Sequence, residues 1–208
     1  MKRSTAPVAI LVGALVFGAC SEVDGDPVTP SVEAPLEQRA PKKGDDPIAA
    51  VAVDRGFTQL VGALGYVDAE LGTGLVSLFS ETSDQYTVFA PTDAAFEDLY
   101  ALLTVVLGTP VDEIGDLPPE IVLDVLLYHV TDGRRAANSV LPRKNVRTIT
   151  SLLGETFAVR PDGTIEDGLT GLRSDAAIVA ANVPASNGIV HAIDGVIVPP
   201  SVVQALTE

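Results

Sequence analysis

The sequence is poor in aromatic residues, in cysteine and in histidine. It has no tryptophan, one cysteine and two histidines, and 5% of its 208 residues are aromatic although 47% are hydrophobic. A chain of this length can bury a sizeable core, which must be built mainly from Val, Ile, Leu and Ala. A single cysteine excludes a disulfide within one chain. The lack of tryptophan disfavours polysaccharide binding, because sugar-binding surfaces usually use exposed aromatic rings.

Basic residues are also scarce. Thirteen Lys and Arg stand against 28 Asp and Glu, which gives a formal net charge of −15. Binding to nucleic acid needs clustered Lys and Arg at the phosphates, so this balance predicts that the protein has no nucleic-acid partner. The excess of acid is interpreted as a soluble surface whose charges repel one another.

Patterns that carry catalysis or bind metal are missing as well. Zinc needs three or four ligands, and His129 and His191 show no ligand spacing with each other or with a carboxylate. The sequence has neither a G-x-S-x-G nucleophile turn nor an EF-hand. We therefore predict that the protein is not an enzyme and has no metal or cofactor. Four glycines lack the spacing of a phosphate-binding loop and are interpreted as helix ends and points of close packing: Gly62, Gly65, Gly72 and Gly74.

The first twenty residues are typical of an exported protein. Two basic residues, the apolar stretch 6–17 and three small residues follow one another, which is the pattern of a signal peptide over residues 1–19. This apolar stretch is too short for a membrane-spanning helix, which needs about 20 residues. The segment VFGAC, which ends at Cys20, resembles the lipobox of bacterial lipoproteins. The resemblance implies that Cys20 is lipidated and anchors the chain to a bacterial membrane, in the periplasm or at the cell surface.

A polar segment separates this leader from the rest of the chain. Residues 21–46 contain four prolines, seven acids and no aromatic residue, and their apolar residues show no period. This composition predicts a disordered tether, so residues 20–46 are assigned to the lipidated cysteine and its tether. A flexible coil of this length would hold the folded part roughly 30 Å from the anchor.

From Pro47 onward the pattern is first helical. A short helix is predicted from Pro47 to Gly56, and residues 57–71 repeat apolar residues every three or four positions. Residues 120–130 continue that spacing. The spacing predicts helices that each bury one face.

After Arg147 the apolar period changes to two. Residues 155–167 predict a hairpin that turns at residues 161–163, and residues 176–200 predict two further strands around Asn187–Gly188. Because helices precede most strands in the chain, the order favours an α+β fold over a wound parallel sheet.

Between these regions, residues 86–103 combine a strand and a helix with a tight turn. YTVFA is a short run of β-branched and aromatic residues, and Pro91 ends it. Thr92 or Asp93 can then cap the helix that follows.

Three segments together are similar to the fasciclin (FAS1) domain family. TVFAPTDAAF (87–96) and NGIVHAIDGVIVP (187–199) resemble the two hallmark motifs of the family, and LLYHV (126–130) resembles its central Tyr-His segment. The resemblance covers residues 47–200, which are identified as one FAS1 domain, followed by a tail at 201–208. It implies a compact α+β fold with a β-wedge or sandwich core and helices packed around it. It also implies a non-catalytic role in cell adhesion or extracellular binding. Six residues of the motifs are assigned framework roles: Thr92, Asp93, Asn187, Gly188, His191 and Asp194.

The second motif places His191 three residues before Asp194. Alternate side chains of a strand point to opposite faces, so His191 shares a face with Ile189 and Ile193 while Asp194 points the other way. The two side chains therefore do not form a site. His191 is predicted to be a core residue whose nitrogens bond to the backbone, and Asp194 to shape a turn with Gly195.

Tyr128 and His129 are the candidate binding residues. In some animal relatives the Tyr-His segment is linked to integrin contact, so the resemblance implies a binding face at these positions. The core-like neighbours Leu126, Leu127 and Val130 favour the alternative, a structural hydrogen bond from His129 at the end of a helix.

Three classes of function remain. The first is a membrane-tethered extracytoplasmic module for cell adhesion or protein–protein interaction, whose partner is a protein or another cell-surface molecule. It is favoured by the anchor, the tether and the resemblance. The second is a carrier of a small lipophilic ligand, because helices over a β-wedge can leave an apolar pocket. The third, a hydrolase or metal enzyme, needs a polar pocket or a metal that the motifs do not predict.

Overall fold

The structure is a computed structural model that describes residues 43–81, 83–171 and 175–207. The predicted signal peptide, Cys20 and most of the predicted tether lie outside the described residues. The described part combines helices with one seven-stranded sheet, which confirms the expected α+β fold class. The helices are α1 (Ile48–Asp54), α2 (Thr58–Leu71), α3 (Leu75–Glu81), α4 (Asp93–Leu107), α5 (Pro119–Tyr128), α6 (Ala137–Val140) and α7 (Pro200–Thr207). The strands are β1 (Tyr86–Pro91), β2 (Val130–Asp132), β3 (Arg147–Thr150), β4 (Thr156–Val159), β5 (Thr164–Glu166), β6 (Ala176–Ala185) and β7 (Gly188–Ile193).

The two hallmark motifs form neighbouring strands in the sheet. The strand order is β2-β1-β7-β6-β5-β4-β3, and β1 runs parallel to β7 from the pair Tyr86–Gly188 to the pair Pro91–Ile193. The other described pairings are antiparallel, including the predicted β4–β5 and β6–β7 hairpins. The order of elements along the chain does not predict the parallel pair.

Gly188 allows β7 to lie directly against β1. A Cβ atom at this position would stand 2.2 Å from the carbonyl oxygen of Tyr86 and 2.6 Å from the side chain of Ile48. Since both distances are shorter than van der Waals contact, only glycine fits here without a shift of the backbone.

The sheet curls until its two edge strands touch. The hydroxyl of Thr131 in β2 donates to the carbonyl of Thr150 in β3 (2.7 Å), and the amide of Leu152 donates to the carbonyl of Val130 (2.7 Å). The curl is helped by β6, whose register with β7 shifts twice and whose residue Asn182 has a positive φ of 64°. Irregularities of this kind bend a strand and increase its twist.

This curled sheet separates two hydrophobic cores. Val88, Ala90, Val190 and Ala192 of the central strands face the larger core, which lies under the helices. The alternate residues of the same strands face a smaller core inside the curl, where Phe89 packs edge-on against Phe157 with ring centres 5.1 Å apart. Because β1 and β7 are covered on both faces, all of their residues are buried.

Two helices are capped by carboxylates from other elements. Thr92 caps its own helix α4 by accepting from the amide of Ala95, as the motif predicts. Asp93 instead accepts from the Gln59 amide (3.0 Å) and from the Thr58 hydroxyl, both at the start of α2. Asp68 of α2 in turn accepts from the Leu75 and Val76 amides at the start of α3 (2.8 Å each).

Both ends of the predicted domain need correction. Residues 201–208 were expected to be a tail, but residues 200–207 form α7, which packs on α4 and α5 and buries Val202. The tether was expected to reach residue 46, but Gly44 donates to the Ala185 carbonyl and Asp46 accepts from the Ser186 amide. The apolar spacing of α7 and the backbone bonds of residues 44–46 place both segments within the folded unit.

The interpretation of the glycines is also wrong in part. Gly72 does end α2 in a left-handed conformation. Gly62 and Gly65, however, are exposed within α2, and a Cβ atom at either would meet no atom within 4 Å. They are therefore not points of close packing.

Gly188→Ala is expected to lower the free energy of unfolding by about 3 kcal/mol, because the added carbon forces β1 and β7 apart. In a domain of this size that change lowers Tm by roughly 6–12 °C. Gly62→Ala is the matched control and is expected to raise the free energy of unfolding by about 1 kcal/mol, since alanine favours an open helical position. Thermal and urea unfolding measure both changes. A Gly188→Ala protein as stable as the wild type would contradict the close approach of the two strands.

Candidate functional site

His191 lies in the middle of β7 and is fully buried. Its Nε2 is 2.9 Å from the carbonyl oxygen of Arg135, and its Nδ1 accepts from the amide of Asn182 (3.3 Å). The ring faces Phe89, with ring centres 5.6 Å apart. Because one nitrogen accepts and the other must donate, the imidazole is held as its neutral Nε2–H tautomer. Burial lowers the pKa of His191, and the contact with the Arg135 carbonyl acts in the opposite direction.

Asp194 lies beyond the end of β7 and does not contact His191 through any described hydrogen bond. Its carboxylate accepts from the Ala177 amide (2.6 Å), and its own amide donates to the Ala177 carbonyl (3.1 Å). The side chain is exposed. The two residues that stand out in the sequence therefore serve different contacts, one inside the small core and one at the end of the β6–β7 pair.

Three polar side chains of the sheet, of which Thr87 and His191 are buried, bond to the segment that follows β2. Thr87 of β1 donates to the Gly133 carbonyl (2.7 Å) and accepts from the Arg135 amide (2.8 Å). Asn182 accepts from the Ala137 amide (2.7 Å), next to the bond between Arg135 and His191. Strands β1, β6 and β7 thus hold residues 133–137 in one conformation through side chains.

Asn187 connects the end of the sheet to two helices. Its Oδ1 accepts from the Ile48 amide at the start of α1 (2.8 Å), and its Nδ2 donates to the Phe79 carbonyl in α3 (2.9 Å). The side chain is 3% exposed. Its role follows from these bonds, because a smaller residue would leave two buried backbone groups without partners.

Tyr128 and His129 both lie in the interior, 0% and 2% exposed. The Tyr128 hydroxyl donates to the Thr156 carbonyl (2.9 Å), and burial, followed by the nearby carboxylates of Asp167 and Glu155, raises its pKa. His129 ends α5: its Nδ1 is 2.7 Å from the Val125 carbonyl oxygen.

The second ring nitrogen of His129, Nε2, accepts from the Ile197 amide (3.1 Å). The imidazole therefore joins α5 to the segment after β7. A partner could reach either the Tyr128 or the His129 ring only after the end of α5 had opened. That Tyr128 and His129 bind a partner stays a prediction, and it requires the end of α5 to open.

The apolar space around His129 is small. One cavity of about 40 Å³ lies between α2, α4, α5 and α7, and a second of about 20 Å³ lies on the side of α1 and α3. Leu60, Leu126 and His129 line both cavities. Pockets for organic ligands usually measure about 300–1,000 Å³, so neither space holds one as it stands.

The described ranges hold no cluster of metal-ligating side chains, and their buried polar atoms are paired. Within residues 43–81, 83–171 and 175–207, no group of three or more His, Cys, Asp or Glu side chains could hold a metal ion. Every buried side-chain nitrogen or oxygen in those ranges has a hydrogen-bond partner. None of the helices described is long and apolar enough to cross a lipid bilayer.

A basic segment stands out on the surface, and the net charge hides it. Residues 133–154 contain five Lys and Arg and no acid, although the whole chain carries 13 bases and 28 acids. We call these residues the basic segment. Its first arginine, Arg134, donates to the carbonyls of Ala185 and Gly188, and burial lowers its pKa. Arg143 and Lys144 are exposed. A local count of charge would have found this segment, whereas the total charge of −15 concealed it.

The hydrogen bonds that Thr87 and Asn182 make to residues 133–137 were also not predicted. Thr87 lies within the first hallmark motif but is an ordinary strand residue by composition. Asn182 lies at a bulge in β6 that no sequence pattern predicts. Both act on residues about 50 positions away along the chain, so local pattern carries no signal for them.

The described part of the chain is a curled sheet with helices over one face, two hydrophobic cores and buried polar side chains that bond mainly to the backbone. The sequence model of the Fasciclin domain family matches residues 56–199. The chain belongs to this family, which confirms the resemblance seen in the three motifs. Members are in general non-catalytic, adhesion-related extracellular modules.

Two relatives of similar length come from bacteria. The chain is 30% identical over 172 residues to Protein sll1483 of Synechocystis sp., a match that covers 83% of each chain. It is 29% identical over 192 residues to Immunogenic protein MPB70 of Mycobacterium bovis, which covers 91% of this chain and 84% of that one.

Among solved structures, the chain is similar to a FAS1 domain pair from the insect cell adhesion molecule Fasciclin I. The sequence identity is 14% and the TM-score 0.41. The match covers 71% of this chain and 46% of the other, so this chain spans about half the length of that structure.

His129→Ala is expected to lower the free energy of unfolding by about 3 kcal/mol, because it leaves the Ile197 amide without an acceptor and enlarges both apolar cavities. Tyr128→Phe removes only the hydrogen bond to Thr156 and is expected to cost about 1 kcal/mol. Thermal unfolding measures both. Unchanged melting of His129→Ala together with weakened adhesion would show that the histidine serves a partner rather than the fold.

The free energy of unfolding is expected to decrease as the pH is lowered, and part of that decrease is expected to come from His191. Its folded pKa is lowered, so the unfolded chain takes up the proton more readily. The contribution of His191 is therefore complete above about pH 6.5 and declines as the pH falls towards the folded pKa. Between pH 7 and 5.5 we expect this histidine to account for a loss of about 1 kcal/mol.

The measurement is urea unfolding of the wild type and of His191→Gln at each pH. Carboxylates titrate in both proteins, so the difference between the two curves isolates the histidine. Parallel curves for the two proteins between pH 7 and 5.5 would contradict the prediction.

Proposed function

We propose that the protein is an exported, lipid-tethered FAS1 module that mediates cell adhesion or protein–protein interaction and has no catalytic activity. Membership in the Fasciclin domain family over residues 56–199 is the observation that carries this proposal. The lipobox-like segment that ends at Cys20 and the proline-rich acidic segment 21–43 support the anchor and the tether.

The interior of the domain supports binding at the surface. Its buried polar side chains are engaged with the domain's own backbone, as the bonds of His129, His191 and Asn187 illustrate. These bonds satisfy backbone groups of other elements, which is a structural role for the side chains. Surface residues, by contrast, include an exposed basic region on a chain that is otherwise acidic.

The carrier of a lipophilic ligand is the weaker alternative. Its only support in the described residues is the apolar lining of the two cavities beside His129. A pigment-sized ligand would require the larger cavity, of about 40 Å³, to grow roughly tenfold. Solvent extraction of the purified protein, followed by mass spectrometry, tests this alternative directly.

The anchor is tested with the full chain and its Cys20→Ser variant, each expressed in bacterial cells that process lipoproteins. We expect the wild type in the membrane fraction and the variant in the soluble exported fraction, because the serine cannot carry the thioether-linked lipid. Equal distribution of the two proteins would contradict lipid anchoring while leaving the fold untouched.

Adhesion is tested with beads that carry the Cys20→Ser chain in place of the membrane. Binding of the beads to cells of the source organism is compared with binding of beads that carry the Gly188→Ala variant, whose sheet is expected to be destabilised. Crosslinking on intact cells then identifies the partner. Recovery of a small molecule only, or of nothing, would contradict the adhesion function.

A further inference from the structure

The basic segment leads into the edge of the sheet. It passes through α6 and a loop of exposed residues and then enters β3, which is the last strand in the sheet order. Residues 142–147 line an open depression of about 440 Å³ on this side. Three of these residues are basic: Arg143, Lys144 and Arg147.

The peptide group of Thr148 points to the outer edge of β3. At the closed end of the β3–β4 hairpin, the Ser151 amide donates to the Glu155 carbonyl (2.9 Å). Bonded and non-bonded pairs alternate in an antiparallel ladder, so Ile149–Phe157 and Arg147–Val159 are the bonded pairs. The amide and carbonyl of Thr148 therefore point away from β4. In the ranges that the structure describes, no backbone group pairs with them on that side.

The open part of this edge is short. Near its other end, β3 is covered by β2 through the bonds of Thr131 and Leu152 described above. The accessible part of the β3 edge is the part next to residues 142–147. The free edge and the positive charge therefore coincide.

The loop of residues 142–147, within the basic segment, is fixed to the domain at both of its ends. The Arg147 guanidinium donates to the Ser139 carbonyl in α6, and Ile149 is buried in the small core. At its start, the segment is fixed by Thr87, Asn182 and His191 through residues 133–137. A surface ordered in this way loses little conformational freedom when it binds a partner.

We propose that this basic edge, defined as Arg143, Lys144, Arg147 and the outward peptide group of Thr148, binds an extended acidic segment of a protein partner. The segment adds to β3 as a further strand, its backbone bonding to Thr148 and its carboxylates lying beside the three basic side chains. The identity of the partner as a protein rests on the proposed function. The capacity to bind such a segment is a property of this chain alone.

A peptide fits the edge better than the other anionic partners do. A lipid surface or a nucleic acid would use the positive charge but would leave the free peptide group of Thr148 unused. An extended peptide uses both features. The charge of −15 on the whole chain also disfavours broad anionic surfaces, which would approach many acidic side chains at once.

The experiment uses the Cys20→Ser chain and an acetylated eight-residue peptide that alternates Glu and Val. Binding is measured by fluorescence polarisation, and the bound site is mapped by amide chemical shifts and amide exchange. We expect saturable binding that weakens with salt, shifts confined to residues 142–150, and slower exchange of the Thr148 amide. The same peptide with Lys in place of Glu is expected not to bind.

Two variants separate the charge from the strand edge. Arg143→Glu/Lys144→Glu is expected to weaken the affinity about tenfold or more, because two attractive contacts become repulsive. Its matched control is Lys43→Glu/Arg55→Glu, which reverses one exposed Lys and one exposed Arg outside the basic segment and is expected to change the affinity by less than about threefold. Thr148→Pro removes the outward amide but no bond to β4, and is expected to weaken binding about fivefold or more while β3 stays folded.

The outcomes distinguish the proposal from its rivals. Shifts elsewhere, equal binding of the Lys peptide, or full affinity of Thr148→Pro would each overturn the acidic-strand proposal. Binding to anionic phosphatidylglycerol vesicles or to single-stranded DNA, but not to the Glu peptide, would also overturn it in favour of another anion.

The bead assay separates this proposal from the proposed function. Beads with the Arg143→Glu/Lys144→Glu variant that adhere as well as the wild type would show that adhesion uses another surface, which overturns the edge as the partner site and leaves the function standing. Wild-type beads that fail to adhere, in a chain that still binds the Glu peptide through β3, would contradict the adhesion function and support the edge.

Discussion

The parallel pairing of β1 with β7 is the constraint on which the rest of the molecule depends. It joins residues 86–91 to residues 188–193, so nearly the whole domain must fold between the two strands that form its centre. Both strands are buried on both faces, which allows one sheet to divide a core under the helices from a core inside the curl. Gly188 sets how closely they approach, and the helices that cover them are positioned from their ends by Asn187 and His129. Pairing between strands so distant in the chain is costly in loop-closure entropy, and the extensive burial of both strands offsets that cost.

The buried polar residues of β1 and β7 bind backbone groups of another segment instead of forming a reactive site. His191 stands out in the sequence as a rare histidine and Thr87 does not stand out at all, yet each binds the backbone of residues 133–137. They thereby fix the start of the only long stretch of the chain, residues 133–154, that carries several bases and no acid. Hydrogen bonds therefore connect the interior of the sheet to the basic segment. Buried residues of the sheet hold the start of this segment, and the loop within it is exposed to solvent.

Local signals in the sequence were sufficient for local structure. The strand, proline and cap at residues 86–93 folded as predicted, and so did the β4–β5 and β6–β7 hairpins, because the information for each lies within about a dozen neighbouring residues. Features that depend on distant partners were not predictable in this way. The parallel pair, the capping of α3 by Asp68 and the bulge at Asn182 all depend on groups that come together only in the folded chain. The basic segment is different: its charges are plain in the sequence, but averaging over the whole chain concealed them.

The attachment of residues 44–46 to the turn between β6 and β7 has a mechanical consequence. A pull on the chain before Lys43 acts first on the bonds from Gly44 to Ala185 and from Ser186 to Asp46, because they are the first described attachments along the chain. Next in line is the start of α1, which the side chain of Asn187 holds. The parallel strands at the centre, by contrast, share a load across several bonds at once. Under tension the domain would thus yield first at its entry, lengthening by a few residues while the sheet and the basic surface beside it keep their shape.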